Sequence, residues 1–215
     1  MKEHVWSKDG GEVALENKLG IVDEIELAHE EERLSKLRAI ELYDEGLLAG
    51  FEIGTFAGLA AIHGYLFQDV YAFAGKRRTV NISKGNFRFA PVMYLDAALA
   101  AIDKMPQATY DEVIEKYVEM NVAHPFREGN GRSTRIWLDQ ILKAELGQVV
   151  DWSRVDKEDY LLAMERSPVR DREIKALLRE ALTPETANRQ VFMKGIEASY
   201  RYEGYATYTM DELEQ

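Results

Sequence analysis

One stretch of the chain gathers residue types able to handle a phosphate: His124-Pro125-Phe126-Arg127-Glu128-Gly129-Asn130-Gly131-Arg132-Ser133-Thr134-Arg135. Pro125 disfavours helical geometry at His124, so the preceding helical pattern ends there. Apolar periodicity resumes after Gly131 with Ile136, Leu138, Ile141 and Leu142. A loop therefore runs straight into a helix N-terminus, where unpaired N–H groups and the positive end of the dipole favour an anion. Gly129 and Gly131 carry no Cβ and let a phosphate approach the backbone. Asn130 tolerates left-handed geometry or bonds an oxygen. Arg132 and Arg135 lie three apart on the new helix, so both guanidinium forks can face one polyphosphate. Glu128 is a hard oxygen ligand of the kind that holds Mg²⁺ beside phosphates. His124 is a candidate general base.

Plainer readings exist for these residues. A histidine before proline often just bonds a helix end, and Gly-Asn-Gly alone is a turn. Phe126 reads as a core anchor that pins the loop. Arginines in a first helical turn oppose the dipole, so local helix stability does not explain Arg132 and Arg135. They call for a bound anion or a carboxylate partner.

The elements that must position this loop are helical. Apolar spacing predicts helices over 23–44, 55–67, 93–104, 110–123, 131–146, 157–166, 171–181 and 187–203, punctuated by Pro106, Pro125, Pro168 and Pro184. Ile25, Ala28, Leu34, Leu37, Ile40 and Leu42 mark the inner face of the first, and the run Glu30-Glu31-Glu32 reads as its solvated face. Thr55, Asp156 and Asp171 read as N-caps. Between 77 and 91, Thr79, Val80, Ile82, Phe87 and Phe89 favour strands around the turn residues Ser83-Lys84-Gly85-Asn86, which predicts a hairpin. The fold class is all-α with one short β excursion. The absence of βαβ alternation speaks against Rossmann-like or P-loop architecture.

Composition narrows the chemistry further. The 215 residues carry 27 Lys plus Arg against 38 Asp plus Glu, a formal charge of −11. Such a chain is not built to lie along nucleic acid, although small basic pockets are allowed. It has no cysteine, which excludes disulfides, thiolate zinc sites and cysteine nucleophiles. Its four histidines are not spaced as a helical ligand pair. No apolar h-region opens the chain and no run approaches the ~20 apolar residues of a membrane span, so a cytoplasmic protein without membrane association is expected.

The motif His124-Pro-Phe-x-x-Gly-Asn-Gly-Arg132, with Glu128 and Arg135 in place, resembles the signature of the Fic-domain proteins, and the resemblance extends over about residues 50–205. It implies a Fic-type helical bundle with a β-hairpin flap, and an activity: AMP transfer from ATP to a Ser, Thr or Tyr hydroxyl of a target protein. By that resemblance His124 takes the hydroxyl proton and Glu128 holds Mg²⁺, with Ca²⁺ or Mn²⁺ as alternatives. Gly129, Asn130 and Gly131 form the anion hole, and Arg132 and Arg135 reach the β- and γ-phosphates. Ile82, Ser83, Lys84, Gly85, Phe87 and Arg88 would form the flap that docks the target strand.

Ser199-Tyr200-Arg201-Tyr202-Glu203-Gly204 matches the family's inhibitory pattern [ST]xxxE[GN], in the position of the class with a C-terminal inhibitory helix. A plain helix end, with Gly204 past its last turn, is the simpler account. In the functional one Glu203, with Ser199, pairs with Arg135 and blocks the γ-phosphate. Glu203 could instead activate water and remove AMP from the target. Tyr200 reads as a self-modification site or as packing. The implied organisation is an arm at 1–20, the core at 21–186, the inhibitory helix at 187–206 and a tail at 207–215. A homo-oligomer is compatible with the resemblance. Rival readings are another group transfer on the same fold, or a non-catalytic nucleotide-binding scaffold.

Overall fold

The computed structural model describes residues 14–84, 87–204 and 207–213. Up to residue 203 the helices follow the order that periodicity predicts, and a short helical turn lies within the expected tail. They are α1 (Glu24–Asp44), α2 (Phe56–Phe67), α3 (Val92–Asp103), α4 (Tyr110–Ala123), α5 (Asn130–Leu146), α6 (Lys157–Arg166), α7 (Arg172–Glu180), α8 (Arg189–Glu203) and a last turn, α9 (Met210–Leu213). The hairpin pairs β1 (Ser83–Lys84) with β2 (Phe87–Arg88), Ser83 opposite Arg88. A second antiparallel pair, β3 (Val149–Val150) with β4 (Leu182–Thr183), was not expected. Each strand is only two residues long, too short for an alternation signal.

Helix starts are set by short polar side chains that accept otherwise unpaired N–H groups. Asp23 accepts from Glu26 N at 2.8 Å and Thr55 from Gly58 N at 3.1 Å. Thr109 and Glu112 form a reciprocal capping box. Asp156 accepts from the N–H of both Glu158 and Asp159. Asp171 departs from expectation. It has helical angles and makes no capping bond, and its carboxylate pairs instead with Lys175 one turn on, at 2.6 Å.

The core centres on α5, where Trp137, Leu138, Ile141 and Leu142 are fully buried. Around it pack α2 through Leu59 and Phe67, and α4 through Ile114 and Tyr117. Trp137 Nε1 donates to Thr55 O at 3.0 Å and so fixes α5 against the start of α2. On the far side α8 lies against both α1 and α5.

Helix α1 corrects two expectations. Ile25, assigned to the inner face, is exposed, and Leu27 is buried in its place. Glu31 and Glu32, assigned to a solvated face, are buried. Both have partners far along the chain, which a local charge run cannot reveal.

Candidate active site

The motif loop leaves α4 at His124, which adopts left-handed angles (φ 47°), the one non-glycine residue with positive φ among those described. Its N–H still bonds Met120 O at 3.0 Å, closing the last turn of α4. Its Nδ1 lies 3.2 Å from Asn121 O. A carbonyl only accepts, so this contact puts the ring proton on Nδ1 and makes Nε2 the basic nitrogen. The imidazole stacks on Phe89 with centroids 3.6 Å apart. Phe89 read only as a strand former in the sequence; here it sets the plane of the histidine ring.

The loop interior is closed by its own side chains. Asn130 Oδ1 accepts from Phe126 N at 2.7 Å and its Nδ2 donates to Phe126 O at 2.7 Å. Of the two roles open to Asn130, its side chain takes the bond to an oxygen, spanning the loop to Phe126 and leaving its main chain at the start of α5. Phe126 is fully buried and stacks on His63 at 3.8 Å. His63 Nδ1 accepts from Gly75 N, and its Nε2 then donates to Glu128 O at 2.9 Å. Burial pushes the His63 pKa down to about 3, so the ring is neutral. A lone histidine in an apolar helix gave no hint of this bracing role.

Helix α5 starts at Asn130, one residue before the expected restart, with Gly129 at its N-cap (φ 76°). No side chain caps this helix among the described residues. Its N-terminal N–H groups are thus the feature the sequence pointed to. A Cβ on Gly129 would stand 2.5 Å from the Phe67 ring, so glycine is needed for conformation and for space.

Both motif arginines are buried, and each is held by oxygens. Arg132 pairs with Glu31 of α1 through NH1, with Glu128 at 3.2 Å, and through Nε with Glu203 of α8 at 2.9 Å. It also lies over the rings of Phe67 and Tyr200. Arg135 donates from Nε to Ser199 Oγ at 2.7 Å, and reaches Ser199 O and the Tyr160 hydroxyl. Glu203 is 3.8 Å from Arg135. The expected pairing is therefore shifted: Glu203 does reach Arg135, but its nearer partner is Arg132. Ser199 is the residue that secures Arg135.

Burial disfavours the charge on Arg132, yet the carboxylates of Glu203 and Glu31 outweigh it and hold its pKa well above the ordinary value. Burial lifts the Glu31 carboxyl against the pull of Arg132. Glu31 also accepts from the Tyr71 hydroxyl. Tyr200 is buried, with its hydroxyl on Ser35 Oγ, so it packs between α8 and α1.

At the hairpin, Ile82, Ser83 and Phe87 are half-buried and Arg88 is exposed; Gly85 lies outside the described residues. The paired stretch is shorter than the expected 77–91, but its stem reaches the loop through Phe89 on His124. No three acidic or histidine side chains converge as a metal cage among the described residues. Glu128, half-buried beside the start of α5, suits a Mg²⁺ that completes its shell with substrate phosphates and water.

Comparison with known proteins agrees with this geometry. The family model "Fic/DOC family" matches residues 55–142, from the α2 cap to about one turn before the end of α5. The chain is 32% identical over 193 residues to the protein adenylyltransferase VbhT of Bartonella schoenbuchensis, covering 81% of this chain and 38% of that protein. It is 33% identical over 169 residues to the "Probable protein adenylyltransferase y4lH" of Sinorhizobium fredii, covering 73% of this chain and 84% of that one. Among solved structures, the Fic domain of Bep8 from Bartonella sp. 1-1C superposes with a TM-score of 0.70 at 21% identity, over 80% of this chain and 92% of that one. BepC from Bartonella tribocorum, solved with AMPPNP, gives 0.66 at 20% identity, over 86% and 99%. With the motif loop, its helix and the relatives all in agreement, the chain belongs to the Fic/DOC family.

Proposed function

We propose that the protein is an adenylyltransferase that moves AMP from ATP to a hydroxyl side chain of a target protein, and that its own helix α8 inhibits it. The observation that carries this reading is the shared position of His124, the uncapped start of α5 and two buried arginines, one of which Glu203 already claims at 2.9 Å. VbhT is by name a protein adenylyltransferase and y4lH a probable one, and BepC was solved with AMPPNP bound.

The chain's residues divide the work. His124 Nε2 accepts the proton as the target oxygen bonds the α-phosphorus, and pyrophosphate leaves with the electrons of the broken P–O bond. The N–H groups of Asn130 and Gly131 meet the phosphate charge, and that of Gly129, which donates to Glu128 Oε1 at 3.1 Å in this structure, joins them once Glu128 turns to the metal. Arg132 and Arg135 hold the outer phosphates once Glu203 has withdrawn. Glu128 would hold Mg²⁺, which neutralises phosphate charge when bound. Phe89 keeps the imidazole in plane for a target strand laid on the hairpin edge.

ATP labelled on the α-phosphate should mark a target in lysate with the Glu203→Gly variant, and γ-label should not. Label from the γ-phosphate alone would replace AMP transfer by phosphorylation.

The reverse reaction has its own support. Glu203 sits inside the site and is 18% exposed, enough to reach a water. Loss of label from AMP-modified target, dependent on Glu203, would establish removal as a second activity.

A further inference from the structure

Arg78 is a buried guanidinium that neither the motif nor the chemistry above uses. Among the described residues, every acceptor it meets is a main-chain carbonyl. Its Nε donates to His124 O at 2.8 Å. NH1 donates to Val80 O at 2.7 Å, and NH2 to Ala123 O at 3.1 Å and to Ala90 O. Its own N–H donates to Pro125 O at 2.7 Å. These acceptors come from three places: the end of α4, the His124-Pro125 step, and both sides of the hairpin stem.

Two demands meet here. The last carbonyls of α4 have no partner within the helix, and a cation there opposes the negative end of the dipole. His124 also sits in left-handed geometry, which disfavours a residue with a Cβ and persists only where surroundings enforce it. A planar fork with five N–H donors can meet four carbonyls from separate segments at once; a lysine ammonium has three donors and cannot span them. Ala90 N also bonds Val122 O at 3.0 Å, so the stem lies directly along the end of α4.

We propose that Arg78 is a positioning residue that fixes the backbone of His124 and locks the hairpin stem to it, so that the docked target hydroxyl and the imidazole share one register. It acts through His124 and so rests on the reading of that histidine as the base. Its neighbour Arg77 differs: it points outward and pairs with the exposed Asp96 at 2.7 Å.

The test compares Arg78→Gln, Arg78→Lys and the control Arg77→Gln, each in the Glu203→Gly chain. Steady-state transfer is measured alongside nitrogen-15 spectra of the imidazoles, with His124 assigned by its loss in His124→Ala. The expected result for Arg78→Gln is a kcat at least tenfold lower, a KM for ATP within twofold of the control, and loss of the Nδ1–H form of His124. Arg78→Lys, which keeps the charge and is the milder variant should the glutamine form not fold, should recover only part of kcat. Control-level kcat together with an unchanged His124 spectrum in Arg78→Lys overturns the proposal. If the Glu203→Gly parent transfers no AMP, the reading of function fails, and the His124 spectrum alone then decides the role of Arg78.

Discussion

Glu31 and Arg132, 101 residues apart in sequence, meet as a buried ion pair that joins α1 to the first turn of α5. The contact gives Arg132 a fixed partner whether or not Glu203 is present. It also ties the motif to a helix that lies outside the family-matched segment.

Removing Glu31 from that pair leaves a buried guanidinium short of a partner and the Tyr71 hydroxyl without its acceptor. Such one-sided breaks cost about 3–5 kcal/mol. Glu31→Ala should lower the urea midpoint accordingly, and Glu31→Gln, which keeps hydrogen-bonding atoms in place, should lower it less. Equal, small losses for both would show that the pair adds little.

Glu203→Gly should raise the initial rate of AMP transfer at least tenfold, because it clears a carboxylate from Arg132 Nε and from beside Arg135, while Glu31 still holds Arg132 and Ser199 still holds Arg135. The same change should lower thermal stability, since Arg132 loses its 2.9 Å carboxylate. His124→Ala in that background should abolish transfer while leaving ATP-analogue affinity near the parent value. Rates that do not change with Glu203→Gly would remove the brake from the account.

Gly129→Ala should be damaging for two reasons. The residue has φ 76°, and a Cβ would stand 2.5 Å from Phe67. Strain and overpacking of this kind cost about 1–3 kcal/mol each. Calorimetry should report a lower Tm, and titration with an ATP analogue should report weaker binding as the N-cap shifts.

Asp139 provides a pH signature. It lies half-buried on α5, where it accepts from Val150 N and Trp152 Nε1, each at 2.9 Å. Burial pushes its pKa up to about 7, from an ordinary 3.8. Below pH 3.8 both folded and unfolded forms are protonated, and the group has no effect. Between there and about pH 7 the unfolded chain ionises first, so stability falls as pH rises, by about 4 kcal/mol in total, and then levels off. Asp139→Asn should flatten this part of the unfolding profile between pH 5 and pH 8, whatever it does to absolute stability.

The tail is clamped onto α1 by a second buried pair. Glu32 pairs with Lys36 at 2.7 Å and accepts from the N–H of Thr207 and Tyr208, while Lys36 donates to Tyr208 O. Lys36→Met should speed hydrogen exchange at Thr207 and Tyr208, with little change at α5. Unaltered protection there would mean that the pair does not hold the tail.

The helices were legible because apolar spacing and caps are local: Thr55 and Asp156, read as caps, each bond N–H groups within three residues, as do Asp23 and Thr109, which were not read as caps. The motif loop was legible because its residue types conflict with helix stability unless an anion or acid is near. What stayed hidden depends on distance along the chain. Glu31 in an acidic run has the same local pattern whether it meets water or Arg132. Arg78 and His63 bond main-chain groups 46 and 65 residues away, and a carbonyl has no residue type to read. The shift of Glu203 toward Arg132 follows from Ser199, which takes Arg135 first.

Glu203 occupies the final turn of α8, just before Gly204 turns the chain left-handed. Helix ends unravel at far lower free energy than whole helices dissociate. Withdrawing the carboxylate means fraying that turn, which also carries the buried Tyr200 and Tyr202, the latter donating to Val155 O at 2.9 Å, while Met193 stays packed. Under the proposed inhibition by α8, basal turnover should therefore be small and rise with temperature, a leak built into where the acid sits.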